Sequence, residues 1–535
     1  MKTTWFRPGR TAACLVLAGA LLTGCSLLPA ASPRKDPAPA VQEQSSDTAA
    51  LLNDGKLRML YGSQNAAILC GSTVLHEASN DETLSLLPDT LTGEAAYYWM
   101  SWADNTLPSG RRSALCDATG AELMTFTEEY NATLTGNYLV LTTLPYLEFG
   151  ADQPMRPEDC RVIDLTTGQD VPTPENAQNC AVAGDLFAFT CYDYPESLAE
   201  GEYDPDPCQN TRMVLQDKDG NVLREEARCT ANGFSAADRN VSSTDWIMLN
   251  FYTDGFASQS STLYNTVTGE ELDGFDQVCG NGTASFKNED GSYRLVDLVS
   301  AEQSETLCEF DRSISYYVPG AAICWQAGRD FRYQFHDLAT GEVKSVYNID
   351  ASDTQLAVYT TDGLLRVYDR TTGALLTDLT VEPIENQDSA QVWTVGKDYV
   401  LLMLYPAGEY VQPTIRLYNA EGLVRQMDVS ASTPDGYVYF APLTTADGHA
   451  YFRYGYEGPN NTTLYDVLDE NGNAVIKGLS TCYSYYPTGL NALPGGAFVA
   501  RKGFYSGWML PSGEWLYRCS IFATPTDESE SNYLI

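Results

Sequence analysis

Three histidines in 535 residues leave little room for zinc ligation or histidine-based acid–base chemistry. His76, His336 and His449 lie far apart, and none falls in an H-x-x-x-H or H-E-x-x-H spacing. His336 precedes a turn aspartate in a strand-like run, which points to a structural role. Basic residues are also scarce. Against 71 Asp+Glu there are 32 Lys+Arg, a formal charge of −39. That excludes nucleic acid as a partner, because phosphate affinity needs clustered Lys and Arg. Charged residues are 19% of the chain, so the surface is mostly neutral and polar. No C-x-x-C, G-x-S-x-G, Walker loop or dinucleotide fingerprint occurs. The sialidase-type Ser-x-Asp-x-Gly-x-Thr-Trp turn is also absent, and helical periodicity is nearly so. No catalytic residue and no metal ligand set is therefore assigned. What is present is 44% hydrophobic residues, enough for a packed core, and 34 Tyr.

The first residues carry Lys2, Arg7 and Arg10 without an acidic residue. An apolar run to Leu22 follows, too short to span a bilayer as a mature helix. It ends in Leu22-Thr23-Gly24-Cys25-Ser26. This segment resembles the lipobox of bacterial lipoproteins. The resemblance implies a signal peptide over residues 1–24, and acylation, palmitate included, at Cys25 as the mature N-terminus. Cleavage there removes three positive charges and takes the formal charge from −39 to −42. Stable anchoring needs more than one acyl chain, at about 0.8 kcal/mol per buried methylene. Residues 25–54 are rich in Pro, Ala and Ser and read as a disordered tether. About 20 such residues, extended, reach on the order of 70 Å.

Over residues 55–535 one turn pattern recurs. A β-branched or aromatic run meets Asp or Asn, then two or three residues including Thr, a Gly, and a second apolar run. The clearest copies end at Gly168, Gly269, Gly341 and Gly373, and weaker ones at Gly93, Gly120, Gly220, Gly422, Gly472 and Gly513. Leu295–Ser300 is a degenerate copy without the Gly. The Asp or Asn side chain accepts from amides two residues on, and the Gly supplies a positive φ. Each copy is therefore a hairpin between strands. Most successive glycines fall roughly 40–50 residues apart, as a four-stranded propeller blade requires. Stretches such as Tyr138–Thr142, Leu186–Thr190, Trp246–Leu249 and Tyr399–Leu404 read as inner strands.

These residues resemble the β-propeller superfamily, nearest to its quinoprotein-like and WD-repeat-like types. The resemblance implies an all-β propeller of seven or eight blades, with more, or two rings, if every hairpin marks a blade. The Gly-His…Trp-Asp pair of WD repeats and the regular Trp of quinoprotein repeats are both missing, so a bound quinone is not implied.

Twelve cysteines remain between Cys70 and Cys519, an even number that suits disulfides in an exported chain. Spacing suggests Cys160–Cys180, Cys191–Cys208, Cys308–Cys324 and Cys482–Cys519. Free buried thiols are the competing reading. Asp217–Asn221 and Asp469–Asn473 gather oxygen donors as calcium requires, but they coincide with hairpins and read first as plain turns. The acidic stretch 195–207 reads as a solvated insertion. Aromatic clusters supply the binding candidates: Tyr98, Trp99 and Trp102; Tyr454 and Tyr456; and Tyr483, Tyr485 and Tyr486. Such rings anchor interfaces and stack on sugars, although most are expected to fill the space between blades.

The expectation is a monomeric, membrane-anchored extracytoplasmic lipoprotein whose propeller is a non-enzymatic binding or scaffold module for an envelope protein or glycan. The alternatives are an exported propeller enzyme acting on glycans and an envelope assembly factor. The latter follows because a propeller lipoprotein of the outer-membrane assembly machinery shares this plan. No cofactor is expected.

Overall fold

Strand propensity and hairpin chemistry give a chain built from short antiparallel strands. The computed structural model describes residues from 50 onward, except 62–65, 80, 108, 144–159, 194–206, 235–244, 254–258, 300–304, 326–332, 353, 409–411, 428–438, 444, 446–447, 460–461, 485–492 and 521–535. Cys25, the tether up to residue 49 and nearly all of the acidic stretch 195–207 lie outside these residues. Among the described residues the strands form ten antiparallel sheets. The first, within residues 57–77, has three strands. Eight have four, and one, within residues 314–380, has seven. All belong to the unit Val41–Ile535. Among the described residues no helix is long and apolar enough to cross a membrane.

The seven-stranded sheet is two units sharing a strand. The first half of Val343–Ala351 pairs back, with His336 opposite Val343. Its second half pairs forward, with Ala351 opposite Leu356. A bulge at Tyr347 turns the strand between the two partners. Eleven units follow among the described residues, close to the number of hairpins in the sequence.

Burial grades across each unit. Second strands carry much of the burial: every residue of Gln355–Thr360 is covered. The stretches expected as inner strands fall in such second strands, at Tyr138–Thr143, Leu186–Tyr192, Trp246–Tyr252 and Tyr399–Pro406. Most fourth strands face water: in Gly422–Met427 only Met427 is buried. The core is accordingly divided into layers between units. Phe187, Phe189 and Val214 of one sheet pack with Val140 and Val162 of the preceding one. Leu402 and Leu404 pack with Tyr359 and Val367. The last sheet packs on the first: Val499, Trp508 and Leu516 share a layer with Leu52, Leu60 and Leu69. Each fully buried aliphatic or aromatic side chain contributes about 1.5–3 kcal/mol. The fold is all-β and propeller-like, a succession of sheets joined through apolar faces.

The hairpins are built as the sequence implies. Asp164 Oδ1 accepts from the Thr166 N–H at 2.8 Å, and the Gly168 N–H donates to the Asp164 carbonyl at 2.7 Å. Asp337, Asp369 and Asn265 repeat the arrangement. Asp297 of the degenerate copy still accepts from the Val299 N–H at 2.9 Å. These turns join third to fourth strands. The exception is the copy ending at Gly93, which joins the first and second strands of its sheet, Glu82–Pro88 and Ala95–Ala103.

Candidate functional site

The first strand of several units carries a bulge at its second residue. In Phe275–Gly280 the register passes from Phe275 to Gln277, so Asp276 is the extra residue. In Ile314–Val318 it passes from Ile314 to Tyr316, leaving Ser315. Bulges re-aim side chains, and here two consecutive units place theirs around one cavity. It has a volume of about 520 Å³ and is lined by Asp276, Gln277, Val278, Ser313, Ser315, Tyr316, Trp325 and Tyr333. That volume lies within the range of small-ligand clefts.

The walls are of two kinds. On one side the Gln277 amide donates to Ser313 Oγ at 2.9 Å, and Ser313 Oγ donates to Asp276 Oδ2 at 2.5 Å. This relay ties the two units together and fixes the carboxylate. On the other side Trp325 and Tyr333 sit opposite each other on adjacent strands. Their ring centroids are 5.2 Å apart and their planes meet at 81°. Trp325 is 38% exposed, unusual for so large an apolar group in this fold. Burial, with Tyr316 alongside, pushes the Tyr333 phenol pKa up, so it stays protonated at neutral pH. Arg312, beside Ser313, is paired with Asp311 at 3.5 Å.

The aromatic residues singled out in the sequence are placed differently. Tyr98 and Trp99 are core residues, 2% and 8% exposed. Trp99 stacks on Phe126 at 5.2 Å. Trp102 is half-buried beside the layer that holds Tyr98 and Cys116. Tyr454 and Tyr456 stack on one face of their strand, 6.1 Å apart. Tyr483 is exposed, while Tyr485 and Tyr486 lie outside the described residues. Of those described, none lines the cleft; its aromatic walls are Trp325, Tyr316 and Tyr333. The signal available was a tryptophan directly after the buried run Ala321–Cys324.

The proposed disulfides are corrected. Cys160 and Cys180 carry free thiols, as do Cys308 and Cys324. The thiol of Cys191 is also free, which removes the bridge to Cys208, and so is that of Cys482, which removes the one to Cys519. The spacing was suggestive for a physical reason. Cys160, Cys180 and Cys191 share one apolar layer, and Cys279, Cys308 and Cys324 share another. Desolvation there holds the Cys180 and Cys279 thiols well above their ordinary pKa.

The two oxygen-rich turns spend their donors internally. Asp217 Oδ1 accepts from the Asp219 and Asn221 N–H groups, both at 2.9 Å. Asp469 does the same with Asn471 and Asn473. Among the described residues no group of three or more His, Cys, Asp or Glu is placed to hold a metal ion. His336 packs edge-on to Phe310 at 5.2 Å, and burial lowers its pKa.

A family model described as a domain of unknown function, DUF5046, matches residues 263–528, a stretch that contains the whole cleft. No curated protein matches the chain. Solved structures with a similar trace include the computationally designed Ika8 protein, at 14% identity over 68% of this chain and 99% of that one, TM-score 0.26. BamB from Moraxella catarrhalis is similar at 11% identity over 65% and 94%, TM-score 0.23. Apo AztD from Citrobacter koseri is similar at 12% identity over 61% and 94%, TM-score 0.26.

Proposed function

We propose that this chain is a lipid-held extracytoplasmic binding module whose ligand enters the cleft between Asp276 and Trp325. The observation that carries this reading is the cleft itself. Two bulged strands from neighbouring units bring a fixed carboxylate and Ser315 to a cavity that the exposed indole of Trp325 also lines. Exposed tryptophan with convergent polar groups is a mark of binding sites rather than of packing. The layer beside it, with Leu295, Ile314 and Ala322, is apolar and buried, which supports a pre-organised site.

The lipobox-like segment ending at Cys25 and the tether behind it support placement outside the cytoplasm on a membrane. A body at −42 is repelled by anionic head groups, so the acyl chains would supply the attachment.

The test uses the intact protein in detergent. It is exposed to envelope extract and to a glycan array, beside Trp325→Ala and Asp276→Ala variants with unchanged thermal unfolding. Retention of a ligand by wild type, and its loss in both variants, is the expected result. Hydrolysis of a glycan that survives both substitutions would overturn the reading.

A further inference from the structure

We propose that the cleft takes a small organic cation, an ammonium-bearing head group that sits against Trp325 and Tyr333 and pairs with Asp276. This names the ligand class for the binding module argued above and rests on that reading.

Three observations point to a cation. First, Trp325 and Tyr333 meet near a right angle, with Tyr316 also lining the cavity. Such a corner offers π-surface on two sides, which attracts cations. Second, Ser313 Oγ accepts from the Gln277 amide and donates to Asp276 Oδ2. A carboxylate has about four lone-pair directions. One bond from Ser313 leaves it acceptor capacity, so the cleft suits a ligand that brings donors or positive charge. Third, among the described residues the charged side chain that lines the cavity is acidic. Asp276 lines the cavity, and Arg312 is already paired with Asp311. The chain as a whole, at −39, raises the local concentration of small cations. A neutral sugar would lack this electrostatic match.

The test is calorimetric titration of the intact protein with choline and with its uncharged isostere, 3,3-dimethylbutan-1-ol. Choline is expected to bind saturably, and the isostere about tenfold or more weakly. Asp276→Asn should weaken choline by about tenfold, and Trp325→Ala by a similar factor, while Trp325→Phe retains part of the affinity. Both residues are exposed, so the variants should fold, and unchanged melting curves verify this. Equal affinity for choline and the isostere, or no saturable binding of choline, overturns the proposal. If choline fails but a neutral glycan is retained and then lost in Trp325→Ala, the cation assignment alone falls. If nothing is retained in either assay, the binding-module reading falls with it.

Discussion

Asp350 takes both hydrogen bonds offered by Thr394 on a single carboxylate oxygen, the backbone N–H at 2.7 Å and the hydroxyl at 2.8 Å. Two residues earlier, Asn348 Oδ1 accepts from the Val392 N–H at 3.1 Å. The side chains of one strand, Val343–Ala351, thus serve the backbone of the next unit's first strand, Gln387–Val395, as a paired strand would. Similar joints recur where the Ala231 N–H donates to Thr190 Oγ1 at 3.0 Å and the Ile314 N–H to Ser285 Oγ at 3.4 Å. Neighbouring units are therefore registered by polar contacts as well as by apolar layers.

This joint gives the first prediction. Desolvation raises the Asp350 pKa above its ordinary 3.8, against the lowering effect of the Thr394 bonds. The unfolded chain ionises first, so this group's stability contribution falls as pH rises from about 3.8 through the folded value. Asp350→Asn keeps an acceptor oxygen without the charge. It should match or exceed wild type in urea melts at pH 7, with the difference shrinking toward pH 4. Asp350→Ala strands the two donors and should cost roughly 1–3 kcal/mol at both pH values. A larger loss in Asp350→Asn than in Asp350→Ala would refute the account.

The fold was readable because its signature is local. An Asp or Asn, a Thr and a Gly within five or six residues determine a turn with no help from distant chain. The same locality explains the misreadings. Turn chemistry does not encode strand rank, so the copy at Asp89–Gly93 looks like the others in sequence while joining first and second strands. Contiguous aromatics such as Tyr98-Trp99 read as a patch, yet adjacent side chains of a strand point to opposite faces. In a layered fold both faces are covered, so Tyr98 enters one apolar layer and Trp99 the next. The cleft was invisible for the converse reason. Asp276, Ser315, Trp325 and Tyr333 come from four strands and meet only through two bulges. No spacing rule in the sequence announces a bulge.

Buried thiols predict alkaline sensitivity. Desolvation pushes Cys160, Cys229, Cys324 and Cys482 up to about 12, and Cys191 up to about 11, from an ordinary 9.0. Below pH 9 both folded and unfolded thiols are protonated, and no stability is lost. From pH 9 to about 11 the unfolded thiols ionise while the folded ones do not, so stability should fall by up to ~1.4 kcal/mol per pH unit per thiol. Melting temperatures at pH 8, 9, 10 and 11 check this, with Cys160→Ala/Cys191→Ala expected to flatten the slope. At pH 8, iodoacetamide should modify the half-buried Cys70 and Cys308 well before these five. Rapid native labelling of Cys180 would contradict the burial described.

Two hairpin glycines separate backbone strain from crowding. Gly269 and Gly373 hold φ values of +74° and +70°. A Cβ at Gly269 meets nothing within 4 Å, whereas one at Gly373 runs into the Pro319 carbonyl of the preceding unit. Gly269→Ala should therefore cost only the left-handed conformation, about 1–2 kcal/mol. Gly373→Ala should cost distinctly more, because the contact is with backbone that cannot step aside. Paired urea melts of the two variants decide the matter, and equal losses would mean that the two units can separate at this point.

The anchor is tested independently of the cleft. If acylation at Cys25 is the attachment, Cys25→Ser should move the protein from the membrane to the soluble fraction and abolish metabolic labelling with palmitate. Charge gives a second readout. A body this acidic gains nothing from an anionic bilayer, so raising the salt should not release wild type. Salt-dependent release would point to an electrostatic attachment instead. Retention of Cys25→Ser in washed membranes would show that something other than acyl chains holds the protein there. Choline affinity of the released variant should equal that of wild type, because the cleft is lined from Asp276 onward, far along the chain from Cys25.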